Sequence, residues 1–106
     1  MATIFKGKTI EKNESTGSRM KFPGGDDVNL TNLPFSCNNH GQFGSLSVTD
    51  EGGAQRELTI RNQNGQVYFT DGWNAFRREK GITVGHKISL YKDDEADQYR
   101  IIVERN

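Results

Sequence analysis

Residues 67–85, VYFTDGWNAFRREKGITVG, decide the fold because their hydrophobic periodicity changes twice. The first residues of the stretch alternate between apolar and polar as in a half-buried strand, and Trp73 and Phe76 then recur at helical spacing. Beyond Gly81, apolar residues again occupy every second position. The stretch therefore predicts a strand, a short helix and a second strand, with both helical aromatics packed on a sheet.

The ends of this helix also have signals in the sequence. Thr70 or Asp71 is placed to cap the first turn, because either side chain can accept a hydrogen bond from a backbone amide. Gly81 is typical of the residue that ends a helix. Ile82 and Val84 then predict an extended segment, which turns into the strand pattern KISLY.

Composition predicts one domain, residues 1–106, with a small β-rich core, because only 32% of the residues are hydrophobic. No apolar run approaches the roughly 20 residues of a membrane span, and the start MATIFKGK lacks the pattern of a signal peptide. Cys37 is the single cysteine, which excludes an internal disulfide and favours a reducing compartment. We therefore expect a soluble intracellular chain.

Alternating apolar residues predict the remaining strands of the sheet. Besides 67–69, the predicted strands lie at 4–10, 20–23, 46–48, 58–60, 88–90 and 99–103. The segment NQNGQ at 62–66 is a predicted hairpin tip, since Asn-Gly supplies the positive φ angles of a two-residue turn, and the acidic residues 93–97 form another turn. About seven short antiparallel strands and one helix describe a mainly β protein, a closed or nearly closed barrel.

Residues 24–43 are the least regular part of the chain, because glycine and asparagine are frequent there. We predict no more than a turn of helix in this segment. Four of its apolar residues are nevertheless expected to contribute to the core: Leu30, Leu33, Phe35 and Phe43.

Charge is distributed unevenly although the formal net charge is zero. Residues 1–22 and residues 60–87 each carry five Lys or Arg against two Asp or Glu, a net charge of +3. The segments 23–59 and 88–106 carry −4 and −2. If the fold brings the two basic segments together, one face of the protein is positive and can attract a polyanion. The alternative is that these are ordinary solvated charges.

No pattern in the sequence indicates catalysis, a metal or a cofactor. Cys37 and His40 have a zinc-like spacing but lack a second Cys/His pair. The acidic residues at 93–97 imitate the start of a calcium loop, yet the required glycine is absent. There is no nucleophile elbow or phosphate-binding loop. We therefore predict that the chain is not an enzyme and has no metal, cofactor or small-molecule substrate.

The sequence resembles a known family in three places. YFTDGWNAF at 68–76, followed by EKGITVG and ISLY, resembles the signature of the plant B3 DNA-binding domain, and FKGK at 5–8 and RMKFP at 19–23 look like its first two strands. The resemblance implies a seven-stranded open pseudobarrel with short helices. It also implies a nuclear plant transcription factor that binds double-stranded DNA, with other transcription factors as further partners.

The family grips the major groove with two loops, which the resemblance places at 12–19, the first loop, and 61–66, the second loop. In the second loop Arg61 is suited to bidentate bonds with guanine, and the amides suit adenine or phosphate. In the first loop the cations and hydroxyls are suited to phosphate. The predicted DNA-binding residues are Lys12, Ser15, Thr16, Ser18, Arg19, Arg61, Asn62, Gln63, Asn64 and Gln66.

Departures from the family pattern leave other functions open. Gly65 and Gln66 stand where strongly sequence-specific members often have arginine, and His86 replaces the usual aspartate, which favours the divergent reproductive-meristem branch. One alternative is a protein-interaction module that kept the barrel and lost DNA binding; the neutral total charge and Glu14 in the first loop favour it. Another is the DNA-recognition domain of a restriction endonuclease, which shares the fold, although no nuclease motif is evident.

Overall fold

A computed structural model describes residues 2–93 and 98–105. Within these residues the chain forms seven strands and two α-helices. The seven strands form one sheet that wraps around the core. In chain order they are β1 (Ala2–Thr9), α1 (Lys12–Thr16), β2 (Met20–Lys21), β3 (Phe43–Thr49), β4 (Gln55–Gln63), β5 (Gln66–Phe69), α2 (Trp73–Lys80), β6 (Lys87–Lys92) and β7 (Tyr99–Glu104).

The strands are ordered β1-β6-β7-β3-β4-β5-β2 in the sheet. The sheet curls into a half-barrel that is open between β1 and β2, and Val28 forms a single bridge to Phe5 beside this opening. The predicted open seven-stranded barrel is confirmed. One detail of the prediction is wrong: β3 and β7 run parallel, whereas the other named neighbours are antiparallel.

The core is centred on a chain of aromatic rings that runs from the sheet to α2. Phe5 packs on Phe22 with ring centroids 4.7 Å apart, and Phe22 packs on Phe69 at 4.8 Å. Trp73 then stacks on Phe69 at 6.1 Å and contacts Phe76 at 6.0 Å. Burial of Trp73 and Phe76 confirms that the helical aromatics belong to the core.

Helix α2 begins at a glycine and not at a side-chain cap. Gly72 precedes the helix with φ 91°, and the predicted cap at Thr70 or Asp71 is wrong because no side chain caps this end. A Cβ atom at position 72 would lie 2.6 Å from the Glu57 carbonyl oxygen, so β4 passes too close for any other residue. The predicted end at Gly81 is confirmed. Neither described α-helix is long and apolar enough to cross a membrane.

Other boundaries and core predictions differ from the structure. The segment after Gly81 is a turn, and the next strand starts only at Lys87. Phe43 is 59% exposed and does not belong to the core, because it lies on the outer side of β3. Leu33 is buried as predicted, whereas Leu30 and Phe35 are only partly buried against the core. Of the predicted acidic turn at 93–97, residues 94–97 lie outside the described part of the chain.

Candidate nucleic-acid interface

The first loop contains a short helix, α1, which the sequence did not predict. Helix α1 starts after Glu11, whose backbone N–H donates to Glu14 Oε1 at 3.0 Å, one half of a capping box. The hydroxyls of Ser15 and Thr16 donate back to the Lys12 carbonyl at 2.7 and 3.3 Å. The KNEST segment has no apolar periodicity, so its helix is indicated in the sequence by Glu11 and Glu14, which have the spacing of a capping box.

Glu14 fixes the first loop to the barrel. Its side chain is 3% exposed, and Oε1 is 3.2 Å from Lys8 Nζ on β1. Its Oε2 accepts a hydrogen bond of 2.7 Å from the Lys21 backbone N–H on β2. A buried carboxylate is stable only when its oxygens have such partners. Glu14 is therefore a structural residue, and it does not present a negative charge on the surface of the loop.

Helix α2 holds the same loop from the other side. Trp73 Nε1 donates to the Glu14 carbonyl oxygen at 3.2 Å, and Arg77 Nε donates to the Gly17 carbonyl oxygen at 2.9 Å. The indole rings thus pack in the core, and the indole N–H stabilises the first loop by a hydrogen bond. The first loop is therefore positioned by β1, β2 and α2 together.

The second loop is the tip of the β4–β5 hairpin, as predicted. Asn64 and Gly65 have φ angles of 55° and 83°, and Gln63 pairs with Gln66 across the turn. Positive φ at both central residues is the geometry of a type I′ turn. The backbone N–H of Asn64 also donates to His40 Nδ1 at 2.9 Å, which ties the tip to the preceding loop.

Asn62 does not face the solvent, so its prediction as a DNA contact is corrected. It is 1% exposed, its Nδ2 donates to the Cys37 carbonyl oxygen at 2.9 Å, and its Oδ1 accepts from the Gly65 N–H at 3.0 Å. Position 62 lies on the inward face of β4 with Leu58 and Ile60. Extending the alternation of β4 by one step would have identified this residue as part of the interior.

The structure places the two loops side by side. Arg19 Nη1 in the first loop donates to Gln63 Oε1 in the second at 2.6 Å. The Arg19 guanidinium also lies 5.0 Å from the centre of the Tyr68 ring, and the Tyr68 hydroxyl donates to Gln66 Oε1 at 2.8 Å. A cleft of about 240 Å³ lies between the loops, with Arg19, Lys21 and Tyr68 among its lining residues. The two basic segments therefore meet at this point.

A row of four side chains crosses the outer face beside these loops. Arg61 of β4 is opposite Phe43 of β3 and Tyr68 of β5, and directly opposed residues share one face of a sheet. The Arg61 guanidinium lies 4.6 Å from the centre of the Phe43 ring. With Arg19 on Tyr68, the order is Phe43, Arg61, Tyr68, Arg19, which we call the outer row. Sequence reasoning singled out the two arginines but missed the two aromatics that hold them.

The outer row and the loop residues have the chemistry to bind a polyanion. Guanidinium groups donate bidentate hydrogen bonds to phosphate or to guanine, and aromatic rings orient them without neutralising their charge. Lys12, Ser18 and Asn64 are exposed on the two loops. In the described residues no group of three or more His, Cys, Asp or Glu side chains is arranged to hold a metal ion.

A second charged cluster lies at the opposite end of β4 and serves stability. The Asp50 carboxylate is buried and accepts hydrogen bonds from Lys80 at 2.9 Å and from Arg56 at 3.2 Å. The hydrogen bond from Lys80 and that from Arg56 lower the pKa of Asp50 from 3.8 to about 2. Arg56 also pairs with Glu79. These cations join β4 to α2 and are not part of the loop site.

Solved structures that are similar to this chain over nearly its full length include two from Arabidopsis. An Arabidopsis FUS3–DNA complex, which contains a B3 domain, matches with a TM-score of 0.71 and 22% identity over 97% of both chains. The hypothetical Arabidopsis thaliana protein At1g16640.1, a B3-like protein, matches with a TM-score of 0.63 and 18% identity over 100% of this chain and 98% of the other. No family model matches the sequence, and no curated protein matches it. The likeness concerns the fold, and this chain has the seven-stranded B3 pseudobarrel fold that its sequence predicted.

Proposed function

We propose that this chain binds double-stranded DNA, with the first and second loops in the major groove, as the DNA-binding domain of a nuclear plant transcription factor. The observation that carries the proposal is the direct hydrogen bond between the loops, Arg19 to Gln63, beside the Arg61 guanidinium of the outer row. The likeness to a B3 domain solved in complex with DNA supports the same conclusion.

The first loop is suited to contact phosphates. Lys12 and Arg19 supply charge, and Ser18 is exposed next to Arg19. Ser15 and Thr16 are weaker donors for phosphate, because each hydroxyl already donates to the Lys12 carbonyl. They can add phosphate bonds only if these local hydrogen bonds are exchanged.

The second loop is suited to read base edges. Arg61 lies on the outer face with its guanidinium against the Phe43 ring, and bidentate bonding to guanine O6 and N7 is its best-matched base contact. Arg19 occupies Gln63 Oε1, which leaves the Gln63 amide N–H groups as donors in a fixed orientation. Asn64, in the turn, and Gln66, at the start of β5, are both exposed. Asn62 is excluded from this set by its burial.

The alternative function, a protein-interaction module without DNA binding, loses one of its two supports. Glu14 was counted as an acid on the DNA-facing loop, but its carboxylate is buried and paired with Lys8. The neutral total charge still favours the alternative. An interaction with other transcription factors stays a prediction.

A titration at several salt concentrations tests the proposal. Lys12→Ala and Arg19→Ala are expected to weaken binding to selected and random duplexes by similar factors, each reducing the salt slope by about one unit. Arg61→Ala is expected to reduce binding to a selected duplex more than to random duplex, by roughly 1 to 3 kcal/mol of discrimination.

Lys92→Ala is the matched control, since Lys92 pairs with Ala2 at the end of β1 that is remote from the first loop. Lys92→Ala removes one positive charge, as Lys12→Ala does, and should leave the salt slope of DNA binding unchanged. Wild-type protein that fails to bind any duplex at millimolar concentration would overturn the proposal and favour the protein-interaction module.

A further inference from the structure

Phe43 is an exposed aromatic residue in the outer row. It is 59% exposed, and among the described residues only Val84, at 56%, is a comparably exposed large hydrophobic side chain. Its position in register with Arg61 places it on the face that carries the proposed base contact. An apolar ring at such a place is costly in water and becomes favourable once it is covered.

The backbone around Phe43 is held firmly on both sides. The Gln42 carbonyl accepts a hydrogen bond of 2.9 Å from the Asn62 N–H, and Gly44 pairs with Ile60 in the ladder. The Phe35 ring packs against Gly44 so closely that a Cβ atom there would lie 2.5 Å from it. Phe43 is therefore presented by a fixed strand end and not by a mobile loop.

Phe43 and Arg61 are close enough to contact neighbouring bases. The guanidinium lies 4.6 Å from the ring centre, a separation between one and two times the rise of about 3.4 Å between successive bases. A phenyl ring has no donor or acceptor with which to read the polar groups of a base edge. The C5 methyl of thymine is the apolar group that the major groove displays, and Phe is among the side chains that contact it.

We propose that Phe43 contacts the C5 methyl of the pyrimidine next to the base contacted by Arg61 and thereby adds a preference for thymine over a pyrimidine without this methyl. This inference rests on the proposed function, because it requires the second loop to lie in the major groove. The same contact accommodates 5-methylcytosine, which carries its methyl at the same position. Burial of one methyl group corresponds to a preference of about three- to fivefold.

Replacement of thymine by deoxyuridine tests the inference, because it removes this methyl and retains base pairing. Wild-type protein is titrated with a duplex that contains thymine and with the same duplex fully substituted with deoxyuridine. We expect three- to fivefold weaker binding to the substituted duplex, and single replacements should locate the loss at one position or two adjacent positions. Phe43→Ser should bind both duplexes equally.

Val84→Ser is the matched control, since it removes the other exposed large apolar side chain and should keep the wild-type preference. Equal binding of both duplexes by the wild type would refute the methyl contact and leave the proposed function standing. A uniform loss of affinity in Phe43→Ser, with the preference retained, would also refute it and reduce Phe43 to a support for Arg61. Failure to bind any duplex would instead overturn the proposed function.

Discussion

Trp73 joins the core to the first loop, so its replacement should affect stability and loop order together. The indole is fully buried, it stacks on Phe69, and its N–H donates to the Glu14 carbonyl. Truncation of a buried aromatic to alanine costs about 3 to 5 kcal/mol. Domains of this size have a total stability of roughly 5 to 15 kcal/mol, so Trp73→Ala should remove between about a fifth and all of it.

Trp73→Phe separates the two contributions of the side chain. It keeps an aromatic ring in the core but leaves the Glu14 carbonyl without the indole donor, for a cost of about 1 to 3 kcal/mol. The free energy of unfolding of both variants should be measured by urea titration with circular dichroism as the probe. Tryptophan fluorescence cannot serve, because Trp73 is the only tryptophan and both variants lack it. Phe43→Ala is the matched control, because it truncates an exposed aromatic and should cost less than about 1 kcal/mol.

The result that would refute this reasoning is a loss below about 1 kcal/mol in Trp73→Ala with an unchanged m-value. Such a result would mean that the indole is exposed and available for another role. A large loss in Trp73→Ala with no change in Trp73→Phe would show that packing matters and that the hydrogen bond to the first loop does not.

Two further predictions concern the buried carboxylates. Glu14→Gln should lower the free energy of unfolding by about 1 to 3 kcal/mol, because an amide cannot satisfy Lys8 and two backbone N–H groups as a carboxylate does. Amide hydrogen exchange should also accelerate at 11–21. Unchanged exchange there would show that the first loop is held in place without the Glu14 carboxylate. Asp50→Asn should destabilise the protein at neutral pH. Because the pKa of Asp50 is lowered from 3.8 to about 2 in the folded state, its contribution is complete above pH 4 and is lost as pH falls from 4 to 2. The difference between wild type and variant in thermal unfolding should therefore shrink over that range, and a constant difference would contradict the assignment.

Much of the fold was predictable because the strands alternate strictly. In β4 the inward residues Leu58 and Ile60 are separated by polar residues, so both the strand and its buried face are evident in the sequence. Helix α2 was predictable because Trp73 and Phe76 recur at helical spacing and Gly81 follows them at the helix end.

The errors concern polar residues whose burial depends on distant partners. Asn62 has the composition of a surface turn, but Cys37 in a remote segment supplies its acceptor. Glu14 resembles a solvated acid, and only the fold brings Lys8 and Lys21 to its oxygens. Phe43 was expected in the core because it is aromatic, and its register opposite Arg61 places it outside. For Glu14, periodicity carries no information on the pairing because its partners are far apart in sequence. For Asn62 and Phe43, extending the alternation of β4 and β3 would have given the correct face.

The fold uses part of the positive charge of the two basic segments internally, which limits how the chain can bind DNA. Several cations of the two basic segments are used within the fold: Lys8 pairs with Glu14, Lys80 with Asp50, and Arg77 holds the Gly17 carbonyl. The proposed interface is therefore left with few charges, chiefly Lys12, Arg19 and Arg61. Neutralising up to three phosphates gives a salt slope of only about −2 to −3. Affinity at physiological salt then has to come largely from uncharged contacts, which is the contribution that the amides of the second loop and the ring of Phe43 are placed to make.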